Sequence, residues 1–220
     1  MTISVIVTGA TGMVGEGVLL EALADPRVGR VLSISRRPLG RAHPKLAEII
    51  LKDFHDLSAI EAQLVGYDAC YFCLGVSSVG MSEADYKRTT YDLTLGFART
   101  LARLNPDTVF CYVTGAHTDS TGQGTTMWAR VKGAAENELL RLLPRAVMFR
   151  PGLMLAQRGQ KNLPVWYWAL IWAYPVVRAL KPSWACSLHE VGRAMINATA
   201  AGSRLRILEV SDIVALAAAQ

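Results

Sequence analysis

Thr8-Gly9-Ala10-Thr11-Gly12-Met13-Val14-Gly15 follows the apolar run Ile3-Ser4-Val5-Ile6-Val7 and opens a helical pattern from Met13 to Ala24. A strand, a glycine turn and a helix in this order form a dinucleotide-phosphate site. Gly9 allows the tight turn, Gly12 lets the backbone approach a pyrophosphate, and Gly15 lets helix and strand pack closely. The helix start adds N–H groups and a partial positive charge for the phosphates. Spaced glycines alone also mark ordinary turns. Here the strand before them and the helix after them supply the context that the motif requires. Gly9, Thr11, Gly12, Met13, Val14 and Gly15 are therefore the expected cofactor contacts.

The next strand, Val31 to Ser35, ends in Ser35-Arg36-Arg37. NAD sites often carry a carboxylate at this point, roughly 20 residues past the glycines, to hold the ribose 2′-hydroxyl. Two guanidinium groups stand there instead. Their planar forks suit a 2′-phosphate, so Arg36 and Arg37 point to NADP over NAD, against the alternative of two solvated loop charges. Glu48-Ile49-Ile50-Leu51 reads as a third strand. Asp53 beyond it either contacts the adenine edge or caps the turn ahead of a short Ser58–Leu64 helix. Asp68 to Leu74 is an almost continuous apolar run, as in a strand buried on both faces. It runs into Gly75-Val76-Ser77-Ser78, a loop at the carboxyl end of a strand, where open α/β sheets bind ligands. Leu74 and Gly75 join the cofactor contacts on that ground.

A long helix follows, Glu83 to Leu104, then a strand, Thr108 to Thr114, a helix, Met127 to Leu143, and a strand, Ala146 to Phe149. Regular alternation of strands and helices implies a doubly wound parallel sheet. Residues 1–152 are expected to form the dinucleotide-binding Rossmann-type α/β core. Residues 153–220 are expected to supply a small substrate lid and the closing elements: a helix Leu188–Ala200, a strand Leu205–Val210 and a capped helix Ser211–Ala219. The run from Asn162 to Val177 lacks charge and holds Trp166, Tyr167, Trp168, Trp172 and Tyr174. Pro164 and Pro175 cut it below the length of a membrane span. It reads as a lid over a partly apolar small-molecule substrate, with a membrane-surface or dimer contact and plain core filling as the other readings.

With 51% hydrophobic and 19% charged residues in 220, the chain can bury a large core and is not a disordered segment. The net charge of +5 comes without a long Lys/Arg run or a basic patch with interleaved aromatics, so nucleic-acid binding is not expected. Cys70 and Cys73 have a C-x-x-C spacing. On a strand, residues three apart face opposite sides, so no metal site is expected from them. The amino terminus shows no signal-peptide pattern, and a cytoplasmic location is expected.

The glycine loop, Ser35-Arg36-Arg37, Val131-Lys132-Gly133, Phe149-Arg150-Pro151-Gly152 and Gly192-Arg193-Ala194-Met195 occur in order along the chain. On these pieces the chain resembles the short-chain dehydrogenase/reductase superfamily. It looks most like the atypical, extended-type branch labelled NAD-dependent epimerase/dehydratase, and within it is similar to the Tat-interacting-protein oxidoreductases. The resemblance implies a hydroxyl residue at a strand end, here Thr114, and a tyrosine four residues before a lysine, here Lys132. In that family the lysine holds the nicotinamide ribose and lowers the tyrosine pKa. The tyrosine position is occupied by Trp128, whose indole donates a hydrogen bond but does not titrate. Thr114 is then expected to bind a substrate oxygen, Lys132 to orient the ribose, and His117 or water to supply the proton. The functional expectation is an NADP-dependent oxidoreductase or epimerase/dehydratase-like enzyme. The alternative is a non-catalytic NADP-binding sensor or partner-binding protein, which the tryptophan favours.

Overall fold

The computed structural model of the chain describes residues 2–164, 167 and 171–219. Within these, β1 (Ile3–Thr8), β2 (Val28–Ser35), β3 (Leu46–Ile50), β4 (Ala69–Phe72), β5 (Val109–Val113), β6 (Ala146–Phe149) and β9 (Ile207–Leu208) make a seven-stranded sheet. The order is β3-β2-β1-β4-β5-β6-β9, and neighbouring strands are parallel throughout. This is the doubly wound arrangement expected from the sequence. The order reverses beside β1, where β2 and β4 leave in opposite directions. The carboxyl end of β1 thus opens at the switch point, where such sheets bind ligands.

Period-two alternation builds the two faces. Val5, Val7, Tyr71, Val109, Cys111 and Phe149 point to one side, where α1 (Met13–Ala24), α6 (Leu188–Ala201) and α7 (Val210–Ala218) cover them. Ile6, Leu32, Ile34, Phe72, Phe110 and Met148 point to the other, under α3 (Leu93–Leu104) and α4 (Met127–Leu142). Both sets are buried, which is why the strands read as continuous apolar runs. Cys70 and Cys73 divide between these two faces as the strand geometry demands.

Several expected bounds shift. β2 begins at Val28 because Ile3 already pairs with it. The expected Ser58–Leu64 helix shrinks to a 3₁₀ turn, Glu61–Gln63. The helix over 83–104 is present but divided: α2 (Glu83–Lys87) passes into a π-helical segment, Arg88–Asp92, before α3. The last strand contracts to Ile207–Leu208, because Glu209 and Asp212 form a capping box that starts α7 at Val210.

One feature was not expected. β7 (Leu153–Leu155) and β8 (Ala185–Ser187) pair in parallel as a separate ribbon, flanking α5 (Tyr174–Leu180). Of the aromatic run, Trp166 and Trp168 lie outside the described residues. Tyr167 is buried, and its hydroxyl accepts a hydrogen bond from the Ala156 amide at 2.7 Å. Trp172 is exposed. A strap of residues 157–162 lies over α1. Glu16 accepts from the amides of Lys161 (3.0 Å) and Asn162 (2.8 Å), and the Gln160 side chain donates to the Met13 carbonyl at 2.7 Å.

Candidate functional site

The glycine loop leaves β1 and turns immediately. Gly9 holds φ +73°, and a Cβ there would sit 2.6 Å from the Cys73 carbonyl oxygen. Its backbone is therefore pressed against the end of β4. The Gly12 amide donates to the Gly9 carbonyl at 2.9 Å, closing the turn. A Cβ on Gly15 would lie 2.3 Å from the Gly9 oxygen, so α1 packs against the loop only because residue 15 lacks a side chain. At Gly12 the situation differs. A Cβ would touch just the Gly9 oxygen, at 3.4 Å, and otherwise face open space. Gly12 is the helix N-cap, and no side chain caps α1. The N–H groups of the first turn have no partner within their own helix.

Two cavities run along this edge of the sheet. A cleft of about 440 Å³ is lined by Gly12, Met13, Val14, Gly15, Leu74, Gly75, Thr114, Gly115 and Lys132, with Pro151, Met154 and Pro164 from the later chain. A second cavity, of about 220 Å³, is lined by Arg36, Lys52, Asp53, Phe54, His55, Thr89 and Leu93. Leu74, Gly75 and Val76 border both, so the two adjoin along this loop as the two ends of a trough. The trough gathers most of the residues expected from the sequence. Gly9 and Thr11 shape the loop without lining it, and Arg37 is exposed beside it. Asp53 lines the cavity and also accepts the His55 amide at 2.9 Å, so it closes a turn. Lys52 and His55, which the sequence reading did not select, join Arg36.

At the other end, the Lys132 ammonium donates to the Thr114 carbonyl at 2.6 Å and lies 6.0 Å from the centre of the Trp128 ring. Burial pushes the Lys132 pKa down to about 8, against the opposing pull of the Glu136 carboxylate. The Thr114 hydroxyl lies 2.6 Å from Glu136 Oε1 and 3.2 Å from the Phe149 carbonyl. Its single proton is thereby committed to an acceptor within the protein, and it retains only lone pairs for a ligand. The Thr114 hydroxyl, expected from the sequence to bind a substrate oxygen, is thus placed to do so as the acceptor from a substrate hydroxyl.

Glu136 itself is fully buried and forms an ion pair with Arg150, which also reaches Glu209 at 3.1 Å and the Ser120 hydroxyl. The hydrogen bond to Glu136 raises the Arg150 pKa further. Sequence reasoning missed this strut. Its signal was a carboxylate four residues after Lys132 on a helix face that is otherwise small or apolar.

His117 is not brought into the trough. It is exposed, at φ 67°, the only non-glycine with positive φ among the described residues. It lines a neighbouring cavity of about 610 Å³ with Ala116, Gly152, Leu153, Val177, Ser183, Trp184, Glu209 and Val210. The turn Gly115-Ala116 separates the two spaces.

The model of the NAD dependent epimerase/dehydratase family matches residues 5–134. The chain is similar to the protein fmp52-1, mitochondrial, of Aspergillus oryzae, at 30% identity over 86% of this chain and 83% of that protein. It is similar to the protein HTATIP2 of Rattus norvegicus at 27% identity over 88% of this chain and 80% of that protein. The fold is shared with the enzyme WbmF of Bordetella bronchiseptica, solved in complex with NAD+. That match has a TM-score of 0.68 at 16% identity and covers 97% of this chain and 77% of the other. The cytoplasmic location expected from the sequence is overturned by the curated relatives: the Aspergillus oryzae protein and five further fungal ones, 26–30% identical, are named mitochondrial.

Proposed function

This chain belongs to the NAD dependent epimerase/dehydratase family, and on that premise we propose that it is an NADP-dependent oxidoreductase or epimerase/dehydratase-like enzyme acting on a carbonyl or alcohol. The observation that carries the reading is the trough, which lines up a helix start free of side-chain caps, a glycine with open space at its Cβ, and a half-buried cation at the far end. Diphosphate at the first turn of α1 suits the N–H groups there. A nicotinamide dinucleotide, when bound, supplies a hydride donor or acceptor beside a carbonyl or alcohol carbon.

The protein's own groups divide the remaining work. Lys132 Nζ has three donors. The Thr114 carbonyl takes one and the others remain for ligand hydroxyls. With a pKa near 8, Lys132 exchanges a proton close to physiological pH, which Trp128 does not. Lys132 is thus the group that holds or releases a proton at the cleft, and Trp128 packs beside it. Met154 and Pro164 line the cleft from the later chain, and within residues 153–220 we assign the part before α6 the role of a substrate lid, the rest closing the sheet.

NADP is favoured over NAD by Arg36, Lys52 and His55 at the adenosine end, where Asp53 is already engaged by the His55 amide. Titration calorimetry tests this. Arg36→Ala is expected to weaken NADPH binding about ten- to hundredfold, the value of a charge-assisted hydrogen bond or two, and to leave NADH binding unchanged. Equal affinity of the unaltered protein for both nucleotides refutes the NADP assignment. The second reading, a non-catalytic NADP sensor, is favoured by Trp128 in place of a titratable tyrosine. Tight NADPH binding without turnover of any of a panel of carbonyl compounds selects it.

A further inference from the structure

A second surface stands apart from the trough. Trp172 (84% exposed), Val176 (58%), Leu180 (76%) and Trp184 (55%) stand out among the large apolar side chains that reach solvent. They recur every fourth residue through α5 and the turns at its two ends, so they fall along one side of a helical path. The other side of the same segment is in use. Val177 and Ser183 wall the His117 cavity, and Arg178 turns inward to Glu190 at 2.6 Å and to the Ala185 carbonyl. The segment is therefore anchored through one face and presents an apolar stripe on the other. Of the other exposed large apolar residues, Ile50, Val65 and Leu205 lie apart in the sequence, which is ordinary, and Val76 and Val79 share the loop after Gly75.

Charge says what covers the stripe. From Arg141 to His189 the chain contains no Asp or Glu, while Arg158, Lys161 and Lys181 fall in the part that includes the stripe and the strap before it; the other cation there, Arg178, is already paired with Glu190. Arg158, Lys161 and Lys181 are exposed, and the Lys181 ammonium lies 4.2 Å from the centre of the Trp184 ring, at the margin of the stripe. A two-fold contact between copies would set this stretch against itself, cation facing cation with no acid from the same stretch to balance it. An anionic surface balances it directly. Tryptophans at both ends of a short apolar face, with lysine at its rim, match the boundary between headgroups and acyl chains. Among the described residues no helix is long and apolar enough to cross a membrane, so the segment would lie on a bilayer.

We propose that α5 and its flanking turns, through Trp172, Val176, Leu180 and Trp184, dock this chain on an anionic phospholipid surface. The proposal stands on this surface alone and is independent of the nucleotide reading. Trp184 belongs to the stripe and to the wall of the His117 cavity. Docking therefore brings that cavity to the bilayer, where apolar ligands concentrate.

Vesicle co-sedimentation of the full chain tests it. The protein is expected to pellet with phosphatidylcholine vesicles containing phosphatidylglycerol, to remain largely soluble with phosphatidylcholine alone, and to be released by salt. Leu180→Glu combined with Trp172→Ala is expected to lower the bound fraction about tenfold. Because both side chains are exposed, the variant should keep the thermal midpoint and the nucleotide affinity of the unaltered protein, and those two measurements verify its folding. Equal pelleting of variant and unaltered protein overturns the proposal, as does an absence of binding to the anionic vesicles. A dimer in light scattering that Leu180→Glu converts to monomer, with no capture by vesicles, gives the stripe to a second copy and overturns it as well.

Discussion

Replacing Gly12 by alanine separates a glycine required by the fold from one required by a ligand. Gly12 has φ −106° and ψ 167°, an extended conformation open to any residue. The added methyl group would meet just the Gly9 oxygen, at 3.4 Å. The fold should therefore accept it, with stability unchanged or raised by up to about 1 kcal/mol through loss of backbone freedom in the unfolded chain. If a diphosphate lies over this turn, the same methyl group intrudes on the closest approach. Loss of one hydrogen bond to a charged group costs about 1.5–3 kcal/mol, or about ten- to hundredfold in Kd. Gly15→Ala is the contrast. Its Cβ falls 2.3 Å from the Gly9 oxygen, so it should lower the thermal midpoint and the affinity together. Calorimetric titration with NADPH, paired with thermal unfolding, reads both quantities. A Gly12→Ala protein of full stability and unaltered Kd would show that neither the turn nor a ligand needs glycine at this position, and the assignment of the trough to a dinucleotide would fail.

Two further perturbations probe the end of the trough around Lys132. Arg150→Ala leaves the fully buried Glu136 without its guanidinium partner and should cost about 3–5 kcal/mol in urea unfolding at neutral pH; a loss below about 1 kcal/mol would mean that the strut bears little of the fold. Lys132 has a folded pKa of about 8, below the ordinary 10.5, so its burial penalty is fully present below pH 8 and is relieved as pH rises from 8 to 10.5, where the unfolded chain holds more protons. The stability of the unaltered protein should therefore gain on that of Lys132→Met across this window, and a pH-independent difference between the two would contradict a depressed lysine.

What was legible in the sequence follows from how locally each feature is encoded. β1, the glycine loop and α1 read almost to the residue, because a buried parallel strand, a positive-φ turn and a largely apolar helix are written in consecutive positions. The pair β7 and β8 did not read. Each is three residues long, they lie some thirty positions apart, and they meet only because Gly152 lacks a side chain where the Trp184 carbonyl approaches, 2.3 Å from where a Cβ would be. Lys52 and His55 were missed for a similar reason: they reach Arg36 because β3 pairs with β2, a neighbour relation that no local pattern announces. His117 shows the converse error. Three residues past Thr114 it looked close to the chemistry, but its φ of 67° turns the chain toward a different cavity.

The same contrast bears on the missing tyrosine. From sequence, Trp128 in its place removes the usual proton donor and leaves Lys132, one helical turn on, able to point at a cofactor. The structure shows the source of that placement. The Lys132 ammonium is fixed by the Thr114 carbonyl, and the Thr114 side chain is fixed in turn by Glu136, which is held by Arg150. Each link joins β5, α4 and β6 below the cleft, and none passes through position 128. A cation set by the sheet itself keeps its position whichever aromatic residue lies one helical turn before it. The loss of the phenol therefore removes one titrating group and leaves the geometry around Lys132 standing.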